Sequence, residues 1–506
     1  MLVACAAEGA CPQNGGLHCF EGCNSVLAFT FSAPALSGLA PLHRSRGLAT
    51  HFPSPGPIPR TETFQCHPPA VPRQEQPPGH VYEGDRHKVA RKLRPDCPHC
   101  PDRLLIDGSI AFPEVFSRRP NEAEFGKTVE FYGADRVGIF PAFREDHRRQ
   151  RRLMAHAFSE SALTEQEGYI KYYVDLLMTR LKDKHADKGA ASDMTEWFNF
   201  LTFDIIGELA FGDPFYSLEK SSYHPWIAML FSSIKGNGKI MFLNNYPLLR
   251  PLILLLGTKE IEMKRQSEQL GAEKTNKRIA LGSDARKDFM TYILRNKDGM
   301  GMNHEEILRN AQGLIVAGSE TTATALSGLT FFLGQNPEVY RRLTDEVRTW
   351  WKSDDEITIK STAALPFLHA CLEETLRMYP PAAEVPHAFP QTLITVSSWA
   401  TYRSSRNFTD PDEFKPQRFL PQTHSLYEER YASDNKAAFK PFSAGPRDCI
   451  GKNLAYAEMR LVVSRLLWAF DLELEQGQDD WVKKQRTFVV YEKSPLMVKL
   501  KPRLLA

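Results

Sequence analysis

The chain has 506 residues, 42% of them hydrophobic and 25% charged, a composition that excludes a wholly disordered, collagen-like or coiled-coil protein. Lys and Arg number 63 against 61 Asp and Glu, a net charge of +2, so no basic excess points to a nucleic-acid partner. No uninterrupted apolar run approaches the ~18 residues of a spanning helix. The best candidate, VLAFTFSAPALSGLA at 26–40, is short, contains Pro34 and Gly38, and lacks the preceding Lys or Arg of a signal peptide.

Residues 1–105 differ from the rest. The first hundred hold 14 Pro, 9 Gly and seven of the nine cysteines, without helical periodicity, and predict an irregular amino-terminal segment. Cys97 and Cys100 frame a CPHC run that has no matching second pair, so a zinc site is not assigned. Only Cys371 and Cys449 follow, which argues against a disulfide scaffold for residues 106–506.

From 106 onward the pattern predicts a mainly α domain with a small β part. A basic helix is expected over 143–158 and another helix over 161–185. The longest candidate is 303–335, opened by the capping pair Asn303 and Glu306 and carrying Ile307, Leu308, Ala311, Leu314 and Ile315 at the 3.6-residue period. Asn336-Pro337 ends it, and Pro337 opens a helix to about Trp351. Further helices are expected over 362–378 and 451–470. The tail, 486–502, alternates around Lys493-Ser494-Pro495 and predicts a hairpin there.

The strongest chemical signal is FSAGPRDCIG at 442–451. It places Cys449 in a Gly-rich loop that runs into a helix. Gly445 and Gly451 allow close approach of a flat ligand, and the helix amino terminus favours a metal-binding thiolate. Arg447 stands ready to pair with a carboxylate. AGSETT at 317–322 sets the small pair Ala317-Gly318 before Glu320 and Thr321; the Thr321 hydroxyl is expected to bond one turn back and loosen the helix. Glu374 and Arg377 in EETLR share a helix face. FREDHRRQRRLMAHAFS at 143–159 sets His147 and Arg151 one turn apart. Phosphate-loop, HExxH and G-x-S-x-G patterns do not occur in the chain.

The spacing F-x-x-G-x-R-x-C-x-G resembles the haem-binding loop of the cytochrome P-450 family, and the resemblance extends over about residues 105–506. It implies that fold, with a long central helix over a haem b (iron protoporphyrin IX). It further implies Cys449 as the iron ligand and Phe442, Gly445, Arg447 and Gly451 as its haem-binding neighbours. Ala317 would flank the haem, and Glu320 and Thr321 would relay protons to dioxygen. His147 and Arg151 would meet a haem propionate, with other arginines of that helix facing an electron donor. Arg418, in FKPQRF at 414–419, would join Glu374 and Arg377 in a structural clamp. His147 and HAFS at 156–159 are similar to fungal members. The implied reaction is monooxygenation of a small apolar, secondary-metabolite substrate, with O2 and an NADPH-dependent flavoprotein reductase. The alternatives are a haem-thiolate isomerase or dehydratase that needs no external electrons, or a non-catalytic haem-binding product. The family also implies a monomer at the endoplasmic reticulum membrane, although the chain shows no clear anchor helix. Finally, VPHAFPQTLITVSSWA at 385–400 is about ten residues shorter than usual. One strand without its hairpin partner is expected there, leaving an unpaired edge, and His387 stands where an arginine for a propionate is common.

Overall fold

The computed structural model describes residues 103–503, except 119–123, 133–134, 245–257, 284, 296–300, 383, 390–391 and 489. The apolar run at 26–40 and the CPHC pair lie outside the described residues.

In chain order the principal elements are β1 (Arg103–Leu105), α1 (Arg144–Ala155), α2 (Glu160–Lys184), β2 (Ala191–Asp193), α3 (Met194–Phe211), α4 (Pro225–Asn244), α5 (Thr258–Ala280), α6 (His304–Gln335), α7 (Pro337–Trp350), α8 (Pro366–Met378), β3 (Glu384–Phe389), β4 (Thr392–Ser397), α9 (Lys452–Ala469), β5 (Phe470–Leu474), β6 (Arg486–Phe488), β7 (Val490–Glu492) and β8 (Met497–Pro502).

The helical pattern of the sequence is realised with small shifts at the ends. The α6 capping box is complete: Glu306 N–H donates to Asn303 Oδ1 and Asn303 N–H donates to Glu306 Oε2, each at 2.9 Å. The helix is continuous past Thr321, and the Thr321 hydroxyl donates to Ala317 O at 2.7 Å, the expected bond one turn back. α6 packs across α3, whose residues are almost all buried. The close approach is set at Gly318, where a Cβ would lie 2.6 Å from Ile206 Cδ1.

Three sheet expectations are corrected. β3 and β4 form an antiparallel hairpin, from Glu384 opposite Ser397 to Phe389 opposite Thr392. The short stretch therefore does hold both strands, because Phe389 and Thr392 pair across only two intervening residues. β4 is also covered on its other side by β1, with Arg103 to Leu105 parallel to Leu393 to Thr395. Residues 103–105 thus belong with the sheet and not with the irregular segment. The tail does not turn back on itself at Lys493-Ser494-Pro495. β6 pairs with β7, whereas β8 leaves them to lie between β2 and β5. The side chain of His387 lies outside the described residues.

Candidate functional site

The loop before α9 is shaped by its backbone. Cys449 N–H donates to Phe442 O at 2.9 Å and Asp448 N–H to Gly445 O at 3.1 Å, which closes 442–449 into a tight turn. Gly445 has φ +76°, and a Cβ there would sit 1.9 Å from Phe116 O. Only glycine satisfies both constraints. Gly445 thus meets the backbone of Phe116 and does not line the cavity described next, contrary to its expected contact with a ligand.

The Cys449 thiol opens into a cavity of about 330 Å³. Phe442, Arg447 and Gly451 line it from the loop, Ala317 and Thr321 from α6, and His147 and Arg151 from α1. Phe112, Phe140, Ile206, Leu314 and Val396 make much of the remaining wall apolar. Burial pushes the Cys449 thiol up, outweighing a hydrogen bond from the Gly451 backbone that acts the other way. A metal cation bound at this sulfur would favour the thiolate by direct coordination.

One sector of the cavity is cationic. His147 is 3% exposed, and its Nδ1 is buried without a hydrogen-bond partner. Burial first, then Arg447, Arg151 and Lys127, press its pKa down to about 3, so the ring is neutral. Lys127, absent from any motif, also lines this wall and donates to Tyr132 OH at 3.0 Å. Burial and Arg447 lower it to about 7, while burial raises the Tyr132 phenol. Arg151 is held by Asp448, through the backbone oxygen at 2.6 Å and Oδ1 at 2.5 Å. Arg447 donates to Ala142 O at 2.9 Å and twice to Glu124 Oε1, at 3.1 and 2.8 Å. Of the remaining arginines, Arg149 is drawn inward to Glu306, while Arg144 and Arg148 stay exposed beside Glu145.

Glu320 does not line the cavity. Its carboxylate pairs with Lys493 from the segment between β7 and β8, in a contact where both side chains are nearly inaccessible (2% and 3%). Lys493 also donates to Thr324 at 3.1 Å. Burial pushes the Glu320 carboxyl up and Lys493 pulls it down; Glu320 Oε2 is buried and unpaired. Neighbours on α6 thus face opposite ways, Thr321 into the cavity and Glu320 toward the tail, because one residue rotates a helix by ~100°.

Behind the loop, Glu374 accepts from Arg377 Nε and Nη2 at 2.7 and 2.8 Å and from Arg418 Nε at 3.1 Å. Arg418 also donates to Asp434 Oδ2 at 2.5 Å. The side chains of all four residues are fully buried.

A family model described as cytochrome P450 matches residues 109–500. The chain belongs to the cytochrome P450 family. It is 40% identical over 422 residues to cytochrome P450 monooxygenase astJ of Aspergillus oryzae, covering 80% of this chain and 83% of that one. It is 43% identical over 381 residues to cytochrome P450 monooxygenase lcsI of Purpureocillium lilacinum, 72% of each chain. Cytochrome P450 monooxygenase dtxS2 of Metarhizium robertsii is 41% identical over 425 residues, 80% and 81% of the two chains. This P450 is accordingly an oxidoreductase of the monooxygenase kind, a class that works with haem, O2 and a redox partner. The residues of the cavity fit haem: a thiol opens into an apolar space, and an unpaired buried imidazole nitrogen and a cluster of cations share one sector of it. Among the described residues no helix is long and apolar enough to cross a membrane.

Proposed function

We propose that this P450 inserts one oxygen atom of O2 into a small apolar secondary metabolite, using haem b and two electrons from an NADPH-dependent flavoprotein reductase, and that it acts as a monomer. The other oxygen atom leaves as water with two protons. The haem domain is taken as 106–506 together with β1. The observation that carries the reading is that the Cys449 thiol and the Thr321 side chain line one largely apolar cavity. Bound haem supplies dioxygen activation, to which a thiolate ligand contributes electron density that favours O–O cleavage.

The chain's own residues do the rest. Cys449 would hold the iron, with Phe442, Arg447 and Gly451 around it and Ala317 against the opposite wall. Gly445 supports that loop from behind. His147, Arg151, Arg447 and Lys127 make the sector that suits the haem carboxylates. The aromatic and aliphatic wall excludes water and selects an apolar substrate. The Thr321 hydroxyl proton is committed to Ala317 O, so its oxygen is free to accept a hydrogen bond from a cavity water and hold that water where it can deliver a proton. Glu320, the neighbouring acid, would supply protons to that relay, although Lys493 holds it away from the cavity. The clamp of Glu374, Arg377 and Arg418 fixes the segment leading to the cysteine loop. The exposed face of α1, with Arg144 and Arg148, offers positive charge to the reductase.

The test is the purified protein reduced under carbon monoxide, followed by turnover with a reductase and a panel of apolar metabolites. The expected result is the red-shifted Soret band of thiolate ligation, its loss in Cys449→Ala, and oxygenated product formed at the expense of NADPH. A Cys449→Ala protein that keeps the band refutes the ligand assignment. Product made without NADPH identifies an isomerase or dehydratase instead.

A further inference from the structure

Five basic side chains line the cavity; besides Lys440, the other four (Lys127, His147, Arg151 and Arg447) act on one another electrostatically in one sector, yet they are not equally available. Arg151 is occupied by Asp448 on the cysteine loop itself. Lys127 donates to a phenol and already feels the charge of Glu124, and His147 is neutral. That leaves Arg447, whose Nε and Nη2 both point at one oxygen, Glu124 Oε1, while Nη1 holds Ala142 O. The pair is largely enclosed, with side-chain exposures of 7% for Arg447 and 16% for Glu124. Arg447 lines the cavity and Glu124 does not.

A guanidinium this deeply enclosed strongly destabilises the fold if it is left without a counter-charge. Glu124 meets that need in the chain as it stands. Its charge then has a second effect. Any carboxylate entering the cationic sector from the cavity meets an Arg447 already neutralised, and a like charge fixed beside it. In a site shielded from water such a repulsion is felt far more than at the surface.

We propose that Glu124 is an internal stand-in for a cofactor carboxylate: it neutralises Arg447 in the haem-free chain and competes with a haem carboxylate for the same guanidinium. Glu124 thereby stabilises the empty protein and weakens haem retention. The inference rests on the reading that haem carboxylates meet this cluster.

Two roles for Glu124 predict opposite outcomes. A competitor slows cofactor loss when its charge is removed, whereas a residue that merely orients Arg447 for the cofactor speeds it. Glu124→Gln keeps the size and one acceptor oxygen while removing the charge. The experiment measures haem transfer from the ferric protein to excess apomyoglobin, for wild type and Glu124→Gln, with haem and with its dimethyl ester, which lacks both carboxylates. Haem loss is expected to slow by about tenfold in Glu124→Gln, the size of one like-charge contact in a partly shielded site. The haem-free variant should melt below the haem-free wild type. The diester should leave wild type and variant at the same rate, faster than haem leaves either. Haem loss from Glu124→Gln at the wild-type rate or faster overturns the inference. So does failure of both Glu124→Gln and Glu124→Ala to fold with haem, because Glu124 would then be a requirement for haem. If the wild type holds the diester as firmly as haem, the underlying reading of the cluster fails, whatever Glu124→Gln does.

Discussion

Arg377→Ala is the perturbation that most directly tests what holds the cysteine loop in place. Arg377 is fully buried and spends its guanidinium on five acceptors: both Glu374 oxygens and the carbonyls of Tyr402, Pro411 and Glu413. Truncation leaves Glu374 with Arg418 and the Lys415 N–H, but strips the donor from three backbone carbonyls of the segment that leads toward Cys449. Removing one partner of a buried, hydrogen-bonded charge cluster costs about 3–5 kcal/mol. For the family domain of residues 109–500, a typical unfolding entropy per residue turns that into a fall in melting temperature of roughly 4–6 °C. Haem content should fall with it, since the stretch from Tyr402 to Glu413, upstream of the cysteine loop, is no longer anchored. Arg377→Lys should be intermediate, because an ammonium carries three donors and lacks the planar fork. The assay is thermal unfolding followed by tryptophan fluorescence, with haem per protein read from the Soret absorbance. An Arg377→Ala protein that melts within about 1 °C of wild type and is fully loaded with haem would refute the reasoning.

Thr321→Ala should retain haem but yield less product per NADPH, with the missing electrons recovered as hydrogen peroxide; an unchanged product yield counts against a proton role for the hydroxyl. The Glu458 carboxyl, enclosed on α9, is pushed up by burial from its ordinary 4.5 to about 8. The folded state therefore binds the extra proton, and this group's stabilising contribution is lost as pH rises from about 4.5 through 8. Glu458→Gln should flatten the decline in melting temperature between pH 5 and pH 8.5, and parallel curves for the two proteins would show that Glu458 is not the group responsible.

What could be read from the amino-acid sequence was local. The α6 capping box closes over three residues, Pro337 starts α7 by its own ring, and the 3.6-residue period of 303–335 is a property of neighbours. The cysteine loop is equally local: its glycine, arginine and cysteine lie within ten residues, so the family resemblance was visible without a fold. Strand partners were not. A shortened segment reads as a missing strand although it holds the β3–β4 hairpin, and alternation marks β8 as a strand without naming its partner. The enclosed charge pairs are the extreme case. Glu124 and Arg447 are 323 residues apart, Lys493 and Glu320 are 173 apart, and no spacing rule links either pair. Their meeting is decided by where the packed helices and the cysteine loop leave a buried charge in need of an opposite one, and only the tertiary structure sets that.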